Sequence, residues 1–214
     1  MGIAILSGIL SSLHDISISK PSHLLIPQSG TSTPLEDLPS LLPSKFIACV
    51  RRPESAKKIK SALSSYTSSV TIVQKSNVTA CQQADVVLLG PKPYMVKDIL
   101  SEPGMKEALA GKLLISICAG VPVEQIEGIL YPADGDNGSE EERCTVVRAM
   151  PNTASGIRES MTVIAISEPP LPASTSSLIT WIFRRIGDVV HLPASNVSKE
   201  CYKYIQPPLL LLLK

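Results

Sequence analysis

Short runs of consecutive apolar residues alternate along the chain with segments whose apolar residues recur every three or four positions. Uninterrupted runs are typical of strands buried on both faces of a parallel sheet, and the periodic segments are typical of amphipathic helices. This alternation predicts an α/β fold with a Rossmann-like, doubly wound, mostly parallel sheet and right-handed crossovers. The runs that predict strands are 45–50, 71–74, 85–90, 113–118, 145–150, 161–167 and 187–192.

Charge and cysteine content narrow the functional class. The 214 residues include 20 Lys+Arg and 19 Asp+Glu, a net charge of +1, so a nucleic-acid partner is not expected. The five cysteines lack metal-ligand spacing, which favours reduced thiols, a cytoplasmic location and no metal site. The closing leucine run, 209–213, is far shorter than the roughly 20 residues of a membrane span, so no membrane partner is expected.

The chain divides into four segments by composition. Ile5, Ile9 and Leu13 have helical spacing, which predicts a helix over residues 1–13. Residues 14–44 are rich in Ser, Thr and Pro and are interpreted as a flexible insert. Residues 45–196 carry the strand and helix alternation of a dinucleotide-binding domain, and residues 197–214 form a divergent tail.

Two arginines, Arg51 and Arg52, follow the first strand run directly. An NAD-binding protein has an acidic residue here to bind the ribose 2′-hydroxyl, whereas guanidinium groups suit a 2′-phosphate. The alternative is a solvated arginine pair at the start of a helix. That arrangement is less favourable because positive charge near a helix N-terminus opposes the helix dipole.

Two further loops follow strand runs and are candidate cofactor contacts. The first combines a glycine that permits close backbone approach with two prolines that fix the backbone around a lysine: Gly90, Pro91, Lys92 and Pro93. The second has small residues that a cofactor could pass: Ile117, Cys118, Ala119 and Gly120. A rigid turn with a solvated lysine, and small residues kept for packing, are the alternatives. Catalysis by the cysteine is not expected because no histidine lies near it in the sequence.

The turn after run 145–150 is a candidate substrate contact. Its residues are Met150, Pro151, Asn152 and Thr153. The turn presents an amide and a hydroxyl at the same sheet edge, where they could face a small polar substrate. A plain Pro-Asn turn is the alternative, and on this string alone it is the preferred one. No catalytic residue is evident in the sequence.

Five strings together resemble pyrroline-5-carboxylate reductase: MGIAILSGIL, FIACVRRPESAKKI, DVVLLGPKP, LLISICAGVPVEQIE and VVRAMPNTASGIRESMTV. They occur in the family's order and cover residues 1–13 and 45–196. The resemblance implies a reductase that uses NADPH, with NADH less expected, to convert 1-pyrroline-5-carboxylate to L-proline in proline biosynthesis. The family is homo-oligomeric, but this sequence is expected to lack the domain that forms its dimer.

The resemblance also implies roles for matched residues. Gly2 is similar to the last glycine of the family's phosphate loop, and Arg51 and Arg52 to its contacts with the adenosine ribose and phosphate. Asn77 is similar to a further cofactor contact. Loops 90–93 and 117–120 resemble those beside the dinucleotide and under the nicotinamide, and residues 150–153 resemble the turn bordering the substrate.

Two departures from the family leave other functions open. The family has a first strand and two more loop glycines before the position of Gly2, and beyond residue 196 a helical domain that forms the dimer. The sequence is therefore expected to lack both, and runs 45–50 and 85–90 to lose the strand between them. The alternatives are an NADP-binding module without turnover, or another Rossmann reductase of small acids. The AMPNT and ICAGV strings count against the latter.

Overall fold

The computed structural model describes residues 1–18, 41–133 and 142–194, together with the single residues 39 and 139. Most of the predicted insert and the predicted tail therefore lie outside the described residues. The helices are α1 (Gly2–Ile18), α2 (Pro53–Ala62), α3 (Asn77–Gln82), α4 (Val96–Leu100), α5 (Met105–Leu109), α6 (Val123–Leu130) and α7 (Ala173–Arg184). The strands are β1 (Phe46–Val50), β2 (Val70–Gln74), β3 (Val86–Leu89), β4 (Leu113–Ser116), β5 (Thr145–Met150), β6 (Ser160–Ile166) and β7 (Gly187–Pro193).

Every apolar run that predicts a strand overlaps one in the structure. β1 and β2 form a parallel pair, with Phe46 opposite Val70. The other strands form a five-stranded sheet in the order β3-β4-β5-β6-β7. All neighbours in this sheet are parallel except β5 and β6. The predicted α/β fold with a mostly parallel sheet is confirmed.

The antiparallel β5–β6 pair follows from the length of its connection. Residues 151–159 join the two strands and hold only a short 3₁₀ helix, Thr153–Ile157. A parallel crossover needs a dozen or more residues and usually an α-helix. The chain therefore returns beside β5, and Met150 lies opposite Val163.

In the described part of the chain, no strand lies between β1 and β3, and the two sheets share no strand pairing. Helix α1 packs against both. Its residues Ile5 and Ile9 belong to the core cluster of the five-stranded sheet, with Ile115 and Val147. Leu10, on another side of the helix, belongs to the cluster over β1 and β2. The helix therefore joins the two sheets through apolar burial.

Helix α1 ends later than the sequence analysis predicts. It continues to Ile18, so the predicted boundary between helix and insert at residue 13 is wrong. The reason is that Ile16 continues the spacing of Ile9 and Leu13 and packs against the same core cluster. Polar residues around Ile16 obscure this periodicity in the sequence. No helix among the described residues has the length and apolar character that crossing a membrane requires.

Candidate functional site at the carboxyl ends of the strands

The three adjacent parallel strands β3, β4 and β5 have their carboxyl ends at the same edge of the large sheet. Their register aligns Leu89 of β3, Ser116 of β4 and Arg148 of β5. Loops 90–93, 117–120 and 150–153 therefore leave the sheet side by side. Ligands of open α/β sheets bind at this edge, and the structure brings together three of the segments predicted to contact cofactor and substrate.

Arg51 and Arg52 lie at the corresponding end of β1, just before Pro53 begins α2. Both side chains are exposed, and neither has an ion pair within the described residues. The backbone N–H of Lys75 donates to the carbonyl of Val50 at 3.1 Å, so a third basic residue lies beside the arginine pair. Lys75 has a φ of 52°, a conformation that is uncommon for residues other than glycine. Lys75 was not predicted from the sequence.

Asn77 is the first residue of α3, and its amide is held by two side chains. The thiol of Cys49 on β1 donates to Asn77 Oδ1 at 3.0 Å. Asn77 Nδ2 in turn donates to Glu102 Oε1 at 2.6 Å. An amide can form four hydrogen bonds, so one N–H and one oxygen lone pair remain for a ligand. Glu102 had no signal in the sequence.

The loops after β3 and β4 pack against each other. A Cβ atom on Gly90 would approach Ile117 Cδ1 to 3.1 Å, so glycine permits this close packing. The Cys118 side chain is buried, with its Sγ 3.4 Å from the carbonyl oxygens of both Leu89 and Pro91. Burial raises the pKa of the Cys118 thiol, which therefore stays neutral. The Cys118 thiol is therefore not available to a ligand.

The last two residues of loop 117–120 are exposed and have free space beside them. Ala119 and Gly120 are exposed, and no atom lies within 4 Å of a Cβ built on Gly120. Gly120 has a φ of 74°, in the left-handed region that glycine adopts without strain. Gly2 at the start of α1 is likewise exposed, and no atom lies within 4 Å of a Cβ built on it. Small exposed residues such as Ala119 and Gly120 permit the close approach of a dinucleotide to the backbone.

Asn152 has a local structural role. Its Oδ1 accepts a hydrogen bond from the Ala154 N–H at 3.1 Å and caps the 3₁₀ helix. Its own N–H donates to Ser160 Oγ at 3.1 Å. The side-chain oxygen of Asn152 is thus used within the turn, as the alternative of a plain Pro-Asn turn expects. Thr153 is exposed in the same turn.

Comparison with known proteins gives one family model and several relatives. The family described as NADP oxidoreductase, coenzyme F420-dependent, matches residues 31–120. A pyrroline-5-carboxylate reductase of Lophium arboricola is 63% identical over 92% of this chain. The solved pyrroline-5-carboxylate reductase of Coxiella burnetii is 25% identical over 74% of this chain, with a TM-score of 0.60. The Plasmodium falciparum pyrroline carboxylate reductase, solved with NADP bound, is 16% identical over 78% of this chain, with a TM-score of 0.56.

The chain spans only part of these proteins. It covers 59% of the Lophium protein, 53% of the Coxiella chain and 63% of the Plasmodium chain. The residues matched by the family model, 31–120, include the ends of β1, β3 and β4 and loops 90–93 and 117–120.

Proposed function

Because the chain belongs to the pyrroline-5-carboxylate reductase family, to which it is related over 92% of its length, we propose that it binds NADPH for the reduction of 1-pyrroline-5-carboxylate to L-proline. This reduction adds a hydride to the C=N carbon and a proton to the nitrogen, and NADPH supplies the hydride when bound. The contribution proposed for this chain is to hold the cofactor in place.

The observation that carries the proposal is the exposed Arg51–Arg52 pair at the end of β1. Neither guanidinium is neutralised within the described residues, and no carboxylate occupies the position that binds a ribose 2′-hydroxyl in NAD-binding proteins. Guanidinium groups bind a phosphate dianion through several charged hydrogen bonds. Phosphate binding therefore explains why two cations occur together at a helix start, where the dipole opposes them.

The remaining loops have proposed roles that follow from their geometry. The start of α1 and Gly2 would bind the pyrophosphate through backbone N–H groups. Gly90–Pro93 and the exposed Ala119–Gly120 would line the path of the dinucleotide. Thr153, exposed at the same edge, would face the small substrate.

A double replacement tests the cofactor preference. Arg51→Ser with Arg52→Asp removes both guanidinium groups and adds a carboxylate. We expect NADPH binding to weaken by about 1.5 to 3 kcal/mol per lost charged contact, and NADH binding to change little. Dissociation constants for both cofactors, measured by the fluorescence of the reduced nicotinamide, give the result.

Lys57→Ser with Lys58→Asp is the matched control, because these exposed lysines on α2 undergo the same change of charge away from the strand end. The control should leave the ratio of the two dissociation constants unchanged. Equal affinities for NADPH and NADH in the wild-type chain, unchanged by the arginine replacements, would contradict the proposed cofactor role.

A further inference from the structure

We propose that Glu102 is a positioning residue for the cofactor: its carboxylate fixes the orientation of the Asn77 amide so that one amide N–H faces the adenosine side of the dinucleotide. This inference rests on the proposed function, because it assumes that Asn77 contacts NADPH. The observation that carries it is the 2.6 Å hydrogen bond from Asn77 Nδ2 to Glu102 Oε1, between residues 25 positions apart.

The two ends of an asparagine amide differ chemically, so its orientation determines what it can bind. A carboxylate only accepts hydrogen bonds, so Glu102 selects the orientation in which Nδ2 faces it. The thiol of Cys49 donates to Oδ1 on the other side. A thiol is a weak donor and also a weak acceptor, so it selects the orientation less strongly. Glu102 therefore determines where the second N–H of Asn77 is presented.

The segment that carries Glu102 is itself fixed against α3. The Glu102 N–H donates to the Ile99 carbonyl, and the Met105 N–H donates to the Glu102 carbonyl. Gly104 has a φ of 83°, and a Cβ on it would lie 3.4 Å from Val78 Cγ1. Helix α3 also neighbours β1, whose end holds the arginine pair. The contact thus couples the segment between α4 and α5 to the predicted adenosine site.

Replacement of Glu102 tests the inference on the 214-residue chain. We expect Glu102→Ala to raise the dissociation constant for NADPH about five- to tenfold, because the Asn77 amide then loses its stronger orienting partner and must be ordered when the cofactor binds. Glu102→Gln keeps an acceptor for Asn77 Nδ2, so its dissociation constant should rise about threefold or less. Both NADPH and NADH should be affected alike, in contrast to the arginine replacements. Glu107→Ala, at an exposed position on α5, is the control and should bind as the wild type does.

A variant that exchanges the amide and the carboxylate between positions 77 and 102 distinguishes the positioning of Asn77 for the cofactor from a contact that only stabilises the fold. Asn77→Asp with Glu102→Gln keeps a hydrogen bond between the two positions but places a carboxylate where the free N–H is required. We expect this variant to regain the melting temperature lost in Glu102→Ala while its affinity for NADPH stays low. Wild-type affinity in the swapped variant, or in Glu102→Ala, would overturn the inference.

Failure of the inference is distinguishable from failure of the proposed function. If the wild-type chain binds NADPH and the arginine variant does not, while Glu102→Ala binds normally, only the role of Glu102 is wrong. If the wild-type chain, folded by circular dichroism, binds neither cofactor, the proposed function is wrong and the role of Glu102 falls with it.

Discussion

Tyr131 shows how burial controls the chemistry of a single residue outside the candidate site. It follows α6, and its hydroxyl oxygen accepts a hydrogen bond from the Cys144 N–H at 2.8 Å. Burial raises the pKa of Tyr131 to about 12. Because the folded pKa is raised, the neutral phenol stabilises the fold below the unfolded pKa of about 10. This stabilisation is lost as the pH rises from about 10 through 12.

We therefore expect Tyr131 to stay largely protonated at about pH 11, where an exposed tyrosine is ionised. The ultraviolet absorbance of tyrosinate, compared between the wild type and Tyr131→Phe, isolates this residue. Tyr94 is 71% exposed, so Tyr94→Phe is the matched control and should leave the part of the signal that belongs to Tyr131 unchanged. Titration of Tyr131 near pH 10 would show that its burial has no electrostatic effect.

The candidate-site residues differ in how far a sequence can predict them. Arg51 and Gly90 directly follow strands, so strand prediction alone places them at the ligand edge. Asn77 is predicted only through the family resemblance, and its contact with Glu102, 25 positions along the chain, depends on the path of the residues between them. The cap formed by Asn152 uses a residue type that caps helices often, yet the Pro-Asn string does not show which side-chain atom remains free.

At the scale of elements, uninterrupted apolar runs predicted strands well because a strand buried on both faces needs no periodicity. The direction of each strand was harder to predict than its position. The alternation suggests crossovers throughout, but residues 151–159 are too few for a helix that crosses the sheet, and β6 runs antiparallel to β5. The end of α1 was missed because one apolar residue, Ile16, holds its last turns against the core.

The packing of α1 on the end of α7 requires a glycine. A Cβ on Gly8 would lie 2.5 Å from the backbone carbonyl oxygen of Arg185, a distance that real Cβ atoms do not reach. Backbone cannot yield as a flexible side chain does, so α1 would have to shift away from the end of α7. We expect Gly8→Ala to lower the free energy of unfolding by about 1 to 3 kcal/mol, measured by urea denaturation.

Gly128 in α6 offers a matched control, because no atom lies within 4 Å of a Cβ built there. Alanine is the better helix former by about 1 kcal/mol, so Gly128→Ala should leave stability unchanged or increase it. If Gly8→Ala were as well tolerated as Gly128→Ala, the close approach of α1 to Arg185 would not contribute to stability.

At the scale of the whole molecule, the two sheets are unequal in burial. All four residues of β4 are buried, and the strand is paired on both sides. Every residue of β1 is only half-buried, and among the described residues its strand partner is β2 alone. Two-stranded sheets are marginally stable unless other elements cover them, and here α1 and α2 supply the apolar contacts.

We therefore expect the two sheets to open with different free energies. Backbone amides of β1 and β2 should exchange with deuterium at least about tenfold faster than those of β4 and β5, because local opening follows burial and pairing. Hydrogen exchange with peptide resolution measures both sheets in one sample, so each serves as the reference for the other. The Gly8→Ala replacement should speed exchange in β1 and β2 further, since α1 joins this pair to the large sheet. Equal protection in the two sheets would show that they unfold as one cooperative unit, and that the burial of α1 couples them more tightly than strand pairing alone implies.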